Sequence, residues 1–149
     1  MALEQVYFED IEPGDEHESP WTPTTPSVVA YMNVSERFNG ADGRFTDPEA
    51  ARNLGLEGPI VPGAFSLSVL ARIVDDWAGL AGRVRSVDVR FRRPVLHDDA
   101  LTAVALVTDT EDADDPGYGR VKLDVFLAND RGDRPVQGVA IVDLPRKTG

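Results

Sequence analysis

The sequence predicts an α+β domain in which an antiparallel sheet wraps around one long helix. Apolar residues between Gly63 and Trp77 recur with the helical period. Apolar and polar residues then alternate in several later runs, of which 121–127 is the strictest. The segment "NDRGDR" joins two of these runs as a hairpin turn. One long helix followed by such strands is typical of a sheet that carries the helix on one face.

The N-terminal part of the chain predicts an arm followed by a helix. Residues 7–26 contain four prolines and alternate only weakly. Because proline cannot donate to a sheet ladder, this segment is expected to hold an edge strand. Ser27 is expected to cap the helix that follows, through its hydroxyl. We expect this helix to end near Phe38, before Gly40.

A second, short helix is predicted in "TDPEAARNLG". Its start has two readings that differ by one residue. In one, Asp47 caps the helix and Pro48 takes the first helical position; in the other, Thr46 and Glu49 form a capping box. Gly55 ends the helix in both readings.

The longest helix and the strands complete the prediction. Gly63 opens this helix, and Gly79 and Gly82 close it. Strands are predicted over residues 87–91, 100–108, 121–127 and 136–142, separated by a bend at Pro94 and by the polar turn "EDADDPGYG".

Composition limits the classes of function. A chain of 149 residues predicts one domain over residues 1–149, and the absence of cysteine excludes disulfides and thiolate chemistry. The net charge of −11 argues against nucleic-acid binding. No signal segment and no apolar run of about 20 residues is found. We therefore expect a cytoplasmic location, with no membrane partner and no nucleic-acid partner. The sequence has one cluster of basic residues, expected to be the solvated side of a strand or a contact for a ligand's phosphates: Arg83, Arg85, Arg90, Arg92 and Arg93.

Four segments in this order resemble the MaoC-like dehydratases, the (R)-specific enoyl-thioester hydratase branch of the hot-dog fold. They are "YFEDIEPGDE", "DPEAA", "GPIVPGAFS" and "RSVDVRFRRPVLHDDALT". The resemblance implies a curved antiparallel sheet wrapped around the central helix. It also implies an acyl chain carried as a thioester on CoA or on an acyl carrier protein. A homodimer, or a heterodimer with a related hot-dog subunit, is implied as well, with no cofactor.

The resemblance also implies a catalytic loop, from which this chain departs. Active members carry an Asp two residues before an Asn-Pro and a His two residues after that Pro, and the two side chains hold the reacting water. Aligned from the first helix, Arg37 takes the Asp position, Asn39 matches the Asn and Asp42 takes the His position. Aligned from "FTDPEAA", Gly40 and Phe45 take the Asp and His positions. Neither register restores the pair.

The chain has two histidines, both outside this loop. His17 lies in the N-terminal arm and is expected at the surface. His97 lies after "RRPV" and is expected in a turn or at the surface. No histidine or cysteine cluster suggests a metal site.

The start of the longest helix offers hydrogen-bond donors that could act on a substrate, although the catalytic pair is missing. The first backbone amides, near Gly63–Phe65, lack intrahelical partners and lie at the positive end of the helix dipole, where they could polarise a thioester carbonyl. Glycine would allow a ligand close to the backbone. Ser66 is expected either to donate into the cavity or to be packed. Asp42 and Asn39 are the expected catalytic residues, for proton transfer and for positioning water. The expected substrate-binding residues are Pro62, Gly63, Ala64, Phe65, Arg37, Tyr31, Phe38 and Phe45, with Val69 also in the apolar lining.

Three functions remain open from the sequence. The first is hydration or dehydration at C2–C3 of an acyl thioester with non-standard acid/base residues. The second is a non-catalytic acyl-binding subunit that has lost the pair. The third is thioester hydrolysis, or a biosynthetic addition or cyclisation in which positioning does most of the work.

Overall fold

The computed structural model describes residues 4–34, 36–38 and 43–148, with the backbone alone at residue 36. Three α-helices and five strands follow one another in these ranges, with short 3₁₀ helices at Phe8–Asp10 and Glu36–Phe38. The elements are β1 (Glu16–Trp21), α1 (Thr25–Asn33), α2 (Pro48–Asn53), α3 (Gly63–Ala78), β2 (Arg83–Phe91), β3 (Leu101–Asp112), β4 (Tyr118–Asn129) and β5 (Val136–Pro145).

The five strands form one sheet in the order β1-β3-β4-β5-β2, and every neighbouring pair is antiparallel. Helix α3 packs on one face of the curved sheet. The predicted α+β class and the hot-dog arrangement, a sheet wrapped around a central helix, are therefore confirmed. The strand in the N-terminal arm is also confirmed as an edge strand, with Pro20 inside it.

Helix α3 is held by its apolar face. Leu70 and Val74 are fully buried, and Trp77 is nearly so. Each such side chain contributes roughly 1.5–3 kcal/mol to folding through burial. The sheet supplies the other half of this core with alternate residues of its central strands: Ala103, Ala105, Val107, Val121, Leu123, Val125, Leu127, Ala140, Val142 and Leu144.

The first helix differs from the prediction at both ends. Thr24, not Ser27, is its N-cap, and the Thr24 hydroxyl accepts a hydrogen bond from the Ser27 amide at 3.2 Å. Pro26 lies in the first turn, where its missing N–H costs nothing. The helix ends at Asn33 instead of near Phe38, and Phe38 belongs to the separate 3₁₀ helix.

The second helix starts in the first of the two predicted ways. Asp47 is the N-cap, its carboxylate accepts from the Glu49 amide at 3.0 Å, and Pro48 is the first helical residue. Gly55 follows the helix with φ of +83°, the left-handed region that favours glycine.

The two edges of the sheet are different. β1 is short and carries Pro20, whereas β2 runs for nine residues with exposed arginines. Within the described part of the chain no helix has both the length and the apolar character needed to cross a membrane.

Candidate functional site

The N-terminus of α3 presents two free backbone amides. Pro62 is the N-cap and has no side chain that could cap the helix. Its carbonyl oxygen accepts from the Phe65 amide at 2.9 Å and from the Ser66 amide at 3.4 Å. Among the described residues, the amides of Gly63 and Ala64 donate to no acceptor. The expectation of free amides up to Phe65 is therefore wrong at Phe65, because a 3₁₀-type bond tightens the first turn.

A small hollow of about 280 Å³ opens beside these amides. Ser66 lines it, and Ser66 is only 1 % exposed. Its hydroxyl has no hydrogen-bond partner among the described residues. A hydroxyl without a protein partner is satisfied when a ligand or water supplies the missing bond. The other wall of the hollow carries the exposed side chains of Arg92 and Arg93.

The packing around position 63 gives a reason for glycine that the sequence did not indicate. A Cβ at this position would lie 3.2 Å from two ring carbons of Phe91, tighter than ordinary packing. The close approach at Gly63 is therefore made by a side chain of β2. Phe91 is 53 % exposed and lines the same hollow, so its ring forms part of the hollow's outer wall.

The predicted aromatic residues form one continuous chain of ring contacts. Tyr31 stacks on Phe65 with centroids 4.5 Å apart, and it meets Phe38 edge-on at 5.9 Å. Phe38 meets Phe45 at 5.8 Å. Trp21 of β1 extends the chain at its other end, 5.2 Å from Phe65. All five rings are half-buried, so they form a wall at the surface rather than part of the core.

Sequence reasoning missed Trp21, although a signal for it was present. In β1 the residues His17, Ser19 and Trp21 are half-buried while their neighbours are exposed. This period of two is the mark of a strand with one face inward. The prolines around this segment made its alternation weak, so its inward face was not predicted.

A longer groove of about 830 Å³ runs from this aromatic wall along α3. Phe65, Val69 and Trp21 line its beginning. Its far part is lined by polar and small residues of α3, β1 and the following turn: His17, Glu18, Ser19, Arg72, Asp75, Asp76, Gly79 and Gly82.

The loop residues that were expected to do the chemistry lie partly outside the described residues. This holds for Asn39 and Asp42, the two predicted catalytic side chains. Arg37 ends the 3₁₀ helix, with its guanidinium carbon 5.5 Å from the Phe38 ring centroid. Arg44 has the same relation to Phe45 at 5.9 Å. Cations therefore border the aromatic wall on its loop side.

His17 departs from its predicted surface position, whereas His97 lies in a turn, as one of its two predicted placements. His17 is half-buried and lines the groove. His97 lies in the predicted turn, but its Nε2 atom is buried and has no partner among the described residues. Its Nδ1 atom is 2.9 Å from the Thr25 hydroxyl at the start of α1. His97 therefore ties the turn to α1 rather than facing solvent.

The arginine cluster is exposed, as predicted for the solvated side of a strand. Several members pair with acidic residues: Arg83 with Asp115 at 3.4 Å, Arg93 with Asp133 at 3.2 Å and Arg85 with Asp143 at 3.8 Å. Arg120 forms a two-bond pair with the same Asp143, and this hydrogen bonding raises the pKa of the Arg120 guanidinium above its ordinary value. In the described ranges, no group of three or more His, Asp or Glu side chains is arranged to hold a metal ion.

The comparisons with known proteins agree with this fold. The sequence model of the MaoC like domain matches residues 17–128. An Archaeoglobus structure named a monoamine oxidase regulatory protein shares 26 % identity, covering 99 % of both chains with a TM-score of 0.81. An (R)-hydratase from A. caviae involved in PHA biosynthesis also shares 26 % identity, over 92 % of this chain and 99 % of that one, with a TM-score of 0.78.

A chain of the ChsH1-ChsH2 complex from Mycobacterium tuberculosis shares 20 % identity over 91 % of this chain and 98 % of that one, with a TM-score of 0.71, and so shows the fold alone. No curated protein sequence matches. Because the family model covers most of the chain, with the sheet wrapped around α3 as its frame, this protein belongs to the MaoC-like domain family.

Proposed function

We propose that this protein binds an acyl thioester, with the thioester carbonyl at the N-terminus of α3, and hydrates or dehydrates the acyl chain at C2–C3. The observation that carries the proposal is the pair of free amides at Gly63 and Ala64 beside the unpartnered, buried hydroxyl of Ser66. These donors suit an oxygen that gains negative charge during a reaction. The 26 % identity to an (R)-hydratase over most of both chains supports the reaction class.

The surroundings of the amides support a thioester with an anionic carrier. Arg92 and Arg93 line the hollow that Gly63 borders, and guanidinium groups bind phosphates well. On the other side, Phe65 begins the aromatic wall and the long groove. A ligand with phosphates at one end, a carbonyl in the middle and an apolar chain at the other end fits this order. CoA and acyl carrier protein thioesters both have this character.

The chemical step in this proposal uses the loop residues. A water oxygen bonds to C3 of the enoyl thioester, and a proton is delivered to C2, so that the double bond becomes single. Asp42 would take the proton from water and return one to C2, while Asn39 would position the water. Gly63 and Ala64 would stabilise the charge that develops on the carbonyl oxygen, a contribution that can reach about 3 kcal/mol.

A second candidate function is acyl binding without catalysis. It is favoured by the sequence of the loop, which has no histidine in either register. The free amides and the groove would serve equally well to hold a chain for a partner.

A dimer is part of the proposal. β2 has a free edge in the described chain, with exposed apolar side chains at Val84 and Phe91. An edge of nine residues can pair with a second copy or a related hot-dog subunit. Related folds occur in complexes, such as the ChsH1-ChsH2 complex. Sedimentation velocity tests the edge: Val84→Lys is expected to weaken self-association, and a monomeric native protein would contradict the homodimer.

Turnover of enoyl-CoA esters tests the reaction. We expect loss of the absorbance of the conjugated thioester, and we expect Asp42→Asn to lower the rate about 100-fold or more with the fold intact. Asp130→Asn, in the exposed hairpin turn, is the matched control and should be unchanged. If no ester is consumed but acyl-CoA raises the melting temperature, acyl binding alone is supported. If the protein shows no turnover and acyl-CoA does not shift its melting temperature, both candidate functions are contradicted.

A further inference from the structure

The groove along α3 changes character along its length. Beside the first turn of α3 it is apolar, with Phe65, Val69 and Trp21 as its walls. Farther along the same helix face come Arg72 and Asp76, about 10–17 Å beyond Phe65 at the rise of an α-helix. Ile73 and Leu80 also line this part, so apolar side chains continue along the groove and polar groups join them beyond Val69.

β1 supplies the polar groups of the far part. Ser19 and His17 lie on the inward face of the strand, roughly 7 and 14 Å from Trp21. Their neighbours across the ladder are Ala103 and Ala105, whose small side chains leave space beside α3. The groove thus continues between β1 and α3 past the aromatic wall.

Neither polar side chain is used by the protein itself. The imidazole of His17 and the hydroxyl of Ser19 are half-buried and make no hydrogen bond within the described ranges. A plain alkyl chain lying against them would remove water from both groups without replacing its hydrogen bonds, which is unfavourable. A hydroxyl group on the ligand could bond to both, since imidazole and hydroxyl each donate or accept.

The charges around the far part of the groove favour a neutral ligand group. Asp75, Asp76 and Glu18 are acidic, and the one guanidinium, Arg72, is paired with Asp76 at 3.7 Å. A carboxylate at the end of the chain would meet this acidic edge and be disfavoured.

We propose that the groove receives the distal part of the acyl chain and selects medium-length chains that carry a neutral hydroxyl group near Ser19 and His17. The inference rests on the proposed function, because it places the thioester at Gly63, and it adds the substrate class. The apolar entrance holds the methylene chain, and the polar far part recognises the hydroxyl. The acidic edge rejects a terminal carboxylate.

Binding of matched CoA thioesters tests this selection by calorimetry. The probes are ω-hydroxyoctanoyl-CoA and ω-hydroxydecanoyl-CoA, each paired with the plain chain of equal heavy-atom length, nonanoyl-CoA and undecanoyl-CoA. We expect at least one hydroxylated chain to bind about tenfold more tightly than its plain counterpart. The same chain ending in a carboxylate should bind more weakly than either.

Variants of β1 assign the preference to the groove. The double substitution His17→Ala and Ser19→Ala is expected to abolish the preference while nonanoyl-CoA still binds. Glu16→Ala, on the outward face of the same strand, is the matched control and should keep the preference.

The outcomes separate the two proposals. If acetyl-CoA and the plain chains bind but the hydroxylated chains show no advantage at either length, the selection is overturned and thioester binding stands. A preference that survives the double substitution also overturns it. If no thioester binds at all, the proposed function fails, and the selection fails with it.

Discussion

The rings of Tyr31 and Phe65 are stacked, with an interplanar angle of 1° and centroids 4.5 Å apart. The contact joins α1 to the first turn of α3, at the point where the free amides lie. It links two parts of the chain that are more than 30 positions apart, and it fixes the ring of Phe65 between the aromatic wall and the groove.

Replacing Phe65 by leucine should weaken this wall. The substitution keeps an apolar side chain but removes the ring contacts with Tyr31 and Trp21, so unfolding free energy should fall by about 1–2 kcal/mol. Urea denaturation measures it. Val34→Ala is a suitable control, since Val34 is 81 % exposed and should contribute little. An unchanged midpoint in Phe65→Leu would mean that the stacking does not hold α1 in place.

Gly63→Ala should reveal the contact with Phe91. The new methyl group would press on the Phe91 ring, so we expect a loss of about 1 kcal/mol in the native background. In a Phe91→Ala background the same change should cost nothing or stabilise the helix slightly, because alanine has the higher helix propensity. A double-mutant cycle by chemical denaturation gives the coupling. Equal effects in the two backgrounds would show that the ring does not constrain position 63.

Ser66→Ala should separate binding from stability. Ser66 is 1 % exposed and its hydroxyl has no partner among the residues that the structure describes, so its removal should leave stability unchanged or raise it by up to about 1 kcal/mol. Acyl-CoA affinity should fall about three- to tenfold if the hydroxyl donates to the thioester. Thermal unfolding and calorimetry together check both effects. Ser68→Ala, on the exposed side of the same helix, is the control for binding. A large loss of stability with no change in affinity would assign Ser66 to packing alone.

Lys147 should make the free energy of unfolding depend on pH in the alkaline range. Its ammonium group donates to Asp10, and this hydrogen bond is the main reason that the pKa of Lys147 lies above its ordinary value of 10.5. The stabilisation is therefore complete below pH 10.5 and is lost as the pH rises through the higher, folded-state pKa. The Lys147 amide also donates to Glu9 at 2.7 Å, a bond that does not titrate in this range.

The comparison of the native protein with Lys147→Gln isolates this effect. The urea midpoint of the native protein should exceed that of the variant at about pH 9, and the difference should shrink above about pH 11. Lys122→Gln, on the exposed side of β4, is the control for a general change in charge. A difference that stays constant across this range would show that the ion pair does not contribute.

The sequence by itself determined the regular parts of this protein. The spacing of apolar residues in the sequence predicted the helix over Gly63–Ala78 and the strands β2, β4 and β5. Each of these elements depends on the order of residues within one short segment. The cap at Asp47 and the turn at Gly55 are also local, since each depends on side-chain and backbone chemistry within a few residues.

The tertiary structure decided which residues lie beside the free amides of α3 and which polar side chains line the groove. Only the return of β2 brings Phe91 onto Gly63, and only the pairing of β1 with β3 turns His17 and Ser19 toward α3. These relations join positions that are tens of residues apart, and a local pattern carries no information about them. The sequence therefore defined a helix with an open N-terminus, whereas long-range packing selected which amides stay free and which polar side chains line the groove beyond them.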